Sequence, residues 1–389
     1  MIRSVYLLRN LTRNPLRALL TCAAVALPVV IYVMSTAVID GINRFLDNSA
    51  KQLRLAVVHK ASIVNPLPAG YRAKIESLDP TRTRLTSVCG FRFIGGKVEG
   101  KAQPLSTIGA DVDSFLATFP EVRLTPEQAG QWIRDPRAIV LGGSTAAQFG
   151  WKVGDRITIR PTLPPYKPLE FNVVGAGAHE TDPVTNFCRR DYLEEEIRSM
   201  GGDAYVVGFY FVKCATQADL DHFRVAIDDL FARTLDETKT QDEKAFMNEF
   251  ITQQFDLPRN LTILAAVTIF VAVMAAANTM SMNFRERLHE FATLKALGFG
   301  GSLVFGLIQS ESIFLCALGG AFGALIPYIS FMHTPLGSYP VPLIQTLEIQ
   351  PIVCLQALVI SLVIGVLAAL WPSWLALRLR VVTALRTLE

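Results

Sequence analysis

The chain has 389 residues, 51% of them hydrophobic and 18% charged, with a mean hydropathy of +0.34. That balance is too apolar for an ordinary soluble protein and too polar for a compact multi-span bundle, so a membrane protein carrying one sizeable soluble domain is expected. A net charge of +3, with no basic run interleaved with aromatics, argues against a nucleic-acid partner.

Residues 1–17 place Arg3, Arg9, Arg13 and Arg17 among Val5, Leu7, Leu8 and Leu11, which predicts a basic amphipathic helix on an anionic membrane face. An uncharged apolar run over 18–39 follows, and about 20 such residues suffice to cross a bilayer. A signal peptide is the competing reading, with Ser35-Thr36-Ala37 weakly cleavage-like. The run exceeds an h-region of roughly 7–15 residues, which favours a retained first span. Over 40–55, Ile42, Phe45, Leu46, Ser49 and Leu53 share one helical face; over 237–260, Phe246, Phe250 and Phe255 do the same. Two such helices would form a stalk for the soluble domain, or belong to its core.

Residues 56–236 read as a mixed α/β domain. The stretches 155–159 and 170–174 alternate as strands, 206–212 reads as a buried strand, and 220–235 as a helix with Leu220, Phe223, Ile227, Leu230 and Phe231 on one side. Between the first two strands, 160–168 is too proline-rich for a central strand and predicts a protruding loop. Three further apolar runs, 261–282, 302–331 and 351–377, bring the spans to four. Lys and Arg gather before the first span, in 283–301 and in the tail 378–389, whereas the loop 332–350 has none. The positive-inside rule then puts both termini and 283–301 in the cytoplasm, and the α/β domain with 332–350 outside.

The stretch 283–301 alternates charge with Phe284, Leu288, Phe291, Leu294 and Leu297 at three- and four-residue spacing, giving a short helix one greasy stripe and one charged face, with Gly298 as its terminating glycine. Too short to cross, it must lie on headgroups or dock in a partner's groove. Its charges have plainer uses: Arg287 and Glu290, three apart, can pair with each other. Glu311 is the acidic residue placed inside a span, where a carboxylate normally faces protein or water; a place at a dimer seam or against the 283–301 helix is preferred to a proton relay. Gly319, Gly320 and Gly323 permit close approach of helices, and Trp371 and Trp374 suit interfacial anchoring.

Catalytic signatures are missing. There is no G-x-x-x-x-G-K-[ST] phosphate loop, no serine elbow around Gly142-Gly143-Ser144, and no HExxH among His59, His179, His222, His289 and His333. No catalytic residue and no metal site are therefore expected. The six cysteines show no CxxC; Cys22, Cys316 and Cys354 lie in apolar spans, and Cys89, Cys188 and Cys214 allow at most one disulfide.

One span, a large extracytoplasmic domain and three more spans resemble the MacB/FtsX superfamily of ABC transporter permeases. The likeness is carried by Asn278, Arg287, Glu290-Phe291-Ala292 and Lys295-Ala296-Leu297-Gly298, then Gln309 with Glu311, Gly319-Gly320 with Gly323, and Pro372-Ser373-Trp374-Leu375-Ala376 with Val382-Thr383-Ala384-Leu385-Arg386. In the domain it is carried by Leu141-Gly142, by Phe149-Gly150-Trp151-Lys152-Val153-Gly154-Asp155 and by Val173-Val174-Gly175. The resemblance implies a MacB-type periplasmic core domain inserted between the first and second spans of a four-helix membrane protein in the bacterial inner membrane. It implies a permease, homodimeric or paired with a paralogue, that binds no cofactor itself and works with a cytoplasmic ATPase dimer holding ATP and Mg. ATP-driven closure would be passed through the membrane to the periplasmic domain to export or extract a hydrophobic substrate: lipoprotein, lipid, drug or peptide. The alternative is a regulator that activates a periplasmic cell-wall hydrolase by the same stroke. Expected ATPase-coupling residues are Arg285, Arg287, Leu288, Glu290, Phe291, Leu294, Lys295 and Gly298. Glu311, Gly319, Gly320 and Gly323 are expected at packing or dimer seams. Leu163, Pro164, Pro165, Tyr166 and Lys167 are expected to meet a periplasmic adaptor or chaperone, as a protruding loop does in lipoprotein-sorting relatives; Ala292 for glycine and the long loop depart from the pattern.

Overall fold

A computed structural model describes residues 15–98, 105–177, 185–202, 205–254, 257–333 and 349–378. The predicted basic helix lies outside these up to residue 14, as do most of the 332–350 loop and the tail from 379 on. The chain divides into two compact units.

The first unit is helical. Helix α1 (Pro15–Ala50) carries the first apolar run; its residues up to Asp40 belong to this unit and the rest, from Gly41, to the second. The remaining spans are α9 (Leu257–Glu286), α11 (Gly301–His333) and α12 (Pro351–Arg378), with the short α10 (Leu288–Ala296) between α9 and α11. Among the described residues four helices are thus long and apolar enough to cross a membrane, as expected. Their seam is lined by small or β-branched residues, among them Val25, Val29, Ala272, Ala276, Ala357 and Ile364. Large apolar side chains such as Phe270, Phe322 and Ile326 point outward, the arrangement a lipid solvent permits.

The second unit is the α/β domain. In chain order its elements are β1 (Arg54–His59), β2 (Leu67–Pro68), α2 (Tyr71–Glu76), β3 (Leu85–Phe93), β4 (Lys97–Val98), β5 (Thr107–Ala110), α3 (Phe115–Thr118) and α4 (Pro126–Arg134). There follow β6 (Ala138–Leu141), α5 (Gly143–Phe149), β7 (Arg156–Arg160), β8 (Leu169–Ala176), β9 (Asn186–Arg189) and α6 (Arg190–Arg198). Last come β10 (Val206–Val207), β11 (Phe209–Cys214), α7 (Gln217–Phe231), β12 (Thr238–Asp242) and α8 (Glu243–Gln254). One mixed sheet runs β12-β1-β11-β3-β5-β9-β6-β8-β7-β4, parallel at β5/β9 and β6/β8 and antiparallel elsewhere. Both faces of its centre are covered. Leu55 and Val57 of β1 pack with Phe223 and Phe231 of α7, while Ala56 and Val58 join Phe91, Phe115, Phe211 and Phe246, so the strand reads as a continuous apolar run.

Three expected elements differ. The first stalk, set at 40–55, ends as helix at Ala50; Leu53 takes φ 51° and Arg54 begins a strand. The second, set at 237–260, begins as strand: β12 pairs with β1 from Leu55↔Asp242 to His59↔Thr238, because the edge of β1 needs a partner for its peptide groups. The strand expected over 206–212 is broken at Gly208, whose N–H donates to Phe91 O at 2.7 Å; Val206–Val207 pairs instead with β2 in a separate small sheet. All six cysteines are free, and burial pushes the Cys214 thiol up to about 12.

Candidate functional site

Helix α9 does not stop at the expected edge of the second span but continues to Glu286. The helix breaks at Arg287 (φ −102°, ψ 13°), which also caps α10. Nine residues later α10 ends in a Schellman turn: Phe299 N–H donates to Leu294 O, Gly298 N–H donates to Lys295 O, and Gly298 adopts φ 92°. The glycine read from sequence as a terminator is required there, since an L side chain is strained at that φ.

Most of the apolar stripe of α10 packs within the chain. Phe284, Leu288, Phe291 and Leu294 pack with Val304 and Ile308 of α11 and Ala369 and Ala376 of α12, and the rings of Phe284 and Phe291 stack at 5.9 Å. Of the charged residues expected at the docking face, Arg287, Glu290 and Lys295 bond within the chain, while Arg285 is exposed. Arg287 donates through Nη1 to Glu311 Oε2 at 2.8 Å and through Nε to Glu290 Oε2 at 3.0 Å, its guanidinium 5.1 Å from the centre of the Phe291 ring. Asn283 Nδ2 donates to the other Glu311 oxygen at 2.9 Å. Lys295 Nζ donates to Ala376 O and Leu377 O, two carbonyls in the last turn of α12 that the helix itself leaves without donors. Arg287, Glu290, Leu294, Lys295 and Glu311 thus fasten α10 to the three spans around it. The greasy stripe packs in the chain's own core, and Arg287 and Lys295 sit where Glu311 and the α12 carbonyls accept their N–H groups.

What remains outward is a different set. Arg285, His289, Thr293 and Ala296 are exposed, and the turn presents Leu297 at 72% and Phe299 at 47% exposure. Of the residues expected from sequence, Arg285 and Gly298 belong to this face. Arg285, His289, Thr293 and Leu297 are spaced by four, a signal the sequence contains but which the apolar stripe outweighs.

The glycines are accounted for within the chain. A Cβ on Gly319 would lie 2.7 Å from Cys22 O and one on Gly323 2.6 Å from Ala26 O, so α1 and α11 approach backbone to backbone. Gly320 is closed off by Ser361 of α12. These glycines, expected at packing or dimer seams, pack against the chain's own helices. Trp371 stacks on Trp374, over which Arg378 lies at 4.0 Å.

In the α/β domain, the loop after β7 is pinned at both ends. Thr162 and Leu163 N–H groups donate to Ile94 O, and Lys167 forms an ion pair with Glu196 of α6. Pro165 is buried, leaving Leu163 and Tyr166, at 42% and 61% exposure, as the apolar side chains a partner can reach. Among the described residues no cluster of His, Cys, Asp and Glu could hold a metal ion.

These features agree with the likeness to known proteins. The family model of the MacB-like periplasmic core domain matches residues 18–230, and that of the FtsX-like permease C-terminal matches residues 262–381. An uncharacterized ABC transporter permease of Mycobacterium tuberculosis is 25% identical over 207 residues, 51% of this chain and 22% of the relative. The macrolide export ATP-binding/permease protein MacB of Syntrophobacter fumaroxidans is 29% identical over 161 residues, 41% of this chain and 20% of the relative. The solved extracellular domain of the ABC-type transporter YknZ, from Gram-positive bacteria, matches with a TM-score of 0.32 and 10% identity over 48% of this chain and 99% of that one. The match thus spans less than a quarter of the length of either curated relative. Since the periplasmic-core model alone takes in more than half of the residues and the permease model follows it in order, the chain belongs to the MacB/FtsX-type family of ABC transporter permeases.

Proposed function

We propose that this chain is the transmembrane subunit of an ATP-driven transporter, with a separate ATPase seated on the outward face of α10 and its terminal turn. The observation that carries the reading is a helix fixed on one side to three spans by Arg287, Lys295 and Phe291, with Leu297 and Phe299 exposed on the tip beyond it. A rigid mount with an apolar tip suits a force-bearing contact, because displacement of the tip moves α9, α11 and α12 together. On the positive-inside distribution of Lys and Arg, the tip and both termini are cytoplasmic and the α/β domain lies on the other side of a bacterial inner membrane. The ATPase, a dimer, would bind ATP and Mg; this chain supplies neither nucleotide site nor catalysis. A second permease copy or a paralogue completes the transporter, and Leu163 and Tyr166 are where a periplasmic adaptor would touch. The cargo is a hydrophobic molecule, a lipoprotein, lipid, drug or peptide, exported or extracted by movement of the α/β domain.

The test is co-purification from mild detergent with mass spectrometry. Leu297→Asp and Phe299→Asp should each remove the ATPase from the complex while membrane insertion persists, and Thr293→Asp should weaken it less. If both tip variants retain the ATPase at parental stoichiometry, the contact lies elsewhere.

A further inference from the structure

The second unit contains a partly open cavity of about 70 Å³ that the coupling just proposed does not use. Its apolar wall is made by Phe45, Phe91, Phe119, Phe187, Phe209 and Phe211, and its charged lining by Arg54, Glu121 and Glu243. Arg54 opens β1, Glu243 opens α8, and Glu121 follows α3, so three separate segments converge on one polar end.

The three charges are unequally served. Arg54 donates from Nε and Nη2 to the two oxygens of Glu243 at 2.7 and 2.9 Å, and from Nη1 to Thr118 O at 3.0 Å, with Phe119 3.9 Å beneath the guanidinium. Glu121 lies 2.6 Å from the same Nη2, as an ion pair, but neither of its oxygens receives a directed hydrogen bond, although its side chain is only 8% exposed. Proximity without direction is the weaker interaction: charge is partly balanced, while both acceptors still lack donors. One guanidinium against two carboxylates also leaves the cavity lining with one negative charge in excess. Half-buried Lys213 feels Arg54, Glu121 and Glu243 but does not line the cavity. A buried carboxylate short of donors is costly, and ring faces attract a cation. The void therefore favours an occupant with N–H donors, one positive charge and a short apolar body.

We propose that this cavity binds a small organic monocation of the alkylammonium class, its N–H groups donating to Glu121 and its alkyl part among the phenylalanines. The volume is roughly half the ~150 Å³ of an apolar cavity that takes up benzene, which restricts the buried body to a few carbons. The proposal does not depend on the docking reading.

The experiment uses the full chain in detergent, titrated with n-propylammonium chloride and followed by saturation-transfer NMR, with n-propanol as the neutral control and sodium chloride as the ionic control. Saturable binding of propylammonium but not propanol is expected, weakened at least tenfold by Glu121→Gln. Met247→Phe, which narrows the cavity without changing charge, should abolish it. Circular dichroism matching the parent establishes that each variant is folded; should Glu121→Gln misfold, Met247→Phe decides alone. Equal binding of propanol, undiminished binding by either folded variant, or no saturable binding (a cavity holding water only) would overturn the proposal.

Discussion

In the helical unit Arg287 holds Glu290 and Glu311 with its guanidinium beside the ring of Phe291; in the α/β domain Arg54 holds Glu243 and faces Glu121 with its guanidinium over Phe119. Both groupings are one arginine, two glutamates and one phenylalanine, and both sit where the chain changes from one element to the next. They differ in how completely they are satisfied. Asn283 supplies the donor that Glu311 still lacks, and Glu290 is 36% exposed and can turn to water. Glu121 has neither resource, and beside it lies a void. The comparison teaches that a buried ion cluster closes on itself only when a neutral donor or solvent finishes the count; otherwise the deficit points at a ligand.

The largest way to break the parallel is Arg54→Met, which leaves Glu121 and Glu243 buried together without a cation. Burial already raises Glu243 above the usual carboxylate range, and Glu121 raises it further. We expect a loss of about 3–5 kcal/mol in the stability of the domain, measured by urea unfolding. A second substitution, Glu243→Met, should restore part of it. A loss under about 1 kcal/mol would mean that water reaches the cluster and the charges are screened. Arg287→Met should cost less, about 2–4 kcal/mol, because Glu290 retains solvent; it should also uncouple ATPase activity from transport in reconstituted vesicles without lowering ATPase co-purification. Gly323→Ala sets a Cβ against Ala26 O and should cost about 1–3 kcal/mol, read from the thermal midpoint in detergent.

The smallest expected effect is at Asp79, whose carboxyl is held below its ordinary range by the Thr81 hydroxyl and the N–H groups of Leu85 and Arg84. Its contribution is full above the unfolded value of about 3.9 and drains as pH falls through the lower folded value. Asp79→Asn should therefore destabilise the domain at neutral pH, and the difference from the parent should shrink below about pH 4. A gap that stays constant with pH would show that shape rather than charge matters there.

The spans were legible because a run of apolar residues of membrane length admits few other readings, and Gly298 was legible because a helix followed by φ 92° calls for glycine. The sense of α10 was not. Periodicity separates its apolar stripe from its polar one, but it does not say that Glu311, twenty-four positions from Arg287, draws that arginine inward. Nor does it say that Lys295 belongs to α12. Strand β12 escaped because Thr238-Lys239-Thr240-Gln241-Asp242 carries little apolar alternation; its reason for pairing is the open edge of β1 and the Asp228 carboxylate that receives Thr238 and Thr240. The Arg54 cluster joins positions 189 apart, a relation with no local signature.

The ammonium of Lys295, resting on two carbonyls eighty-one and eighty-two positions further along, has a consequence of its own. It stitches a loop made early to a helix made late, so the loop cannot take its final seat until the last span has been synthesised and threaded. A subunit interrupted before that point would hold the tip through α9 and α11 alone, without the carbonyls of α12 on which Lys295 rests.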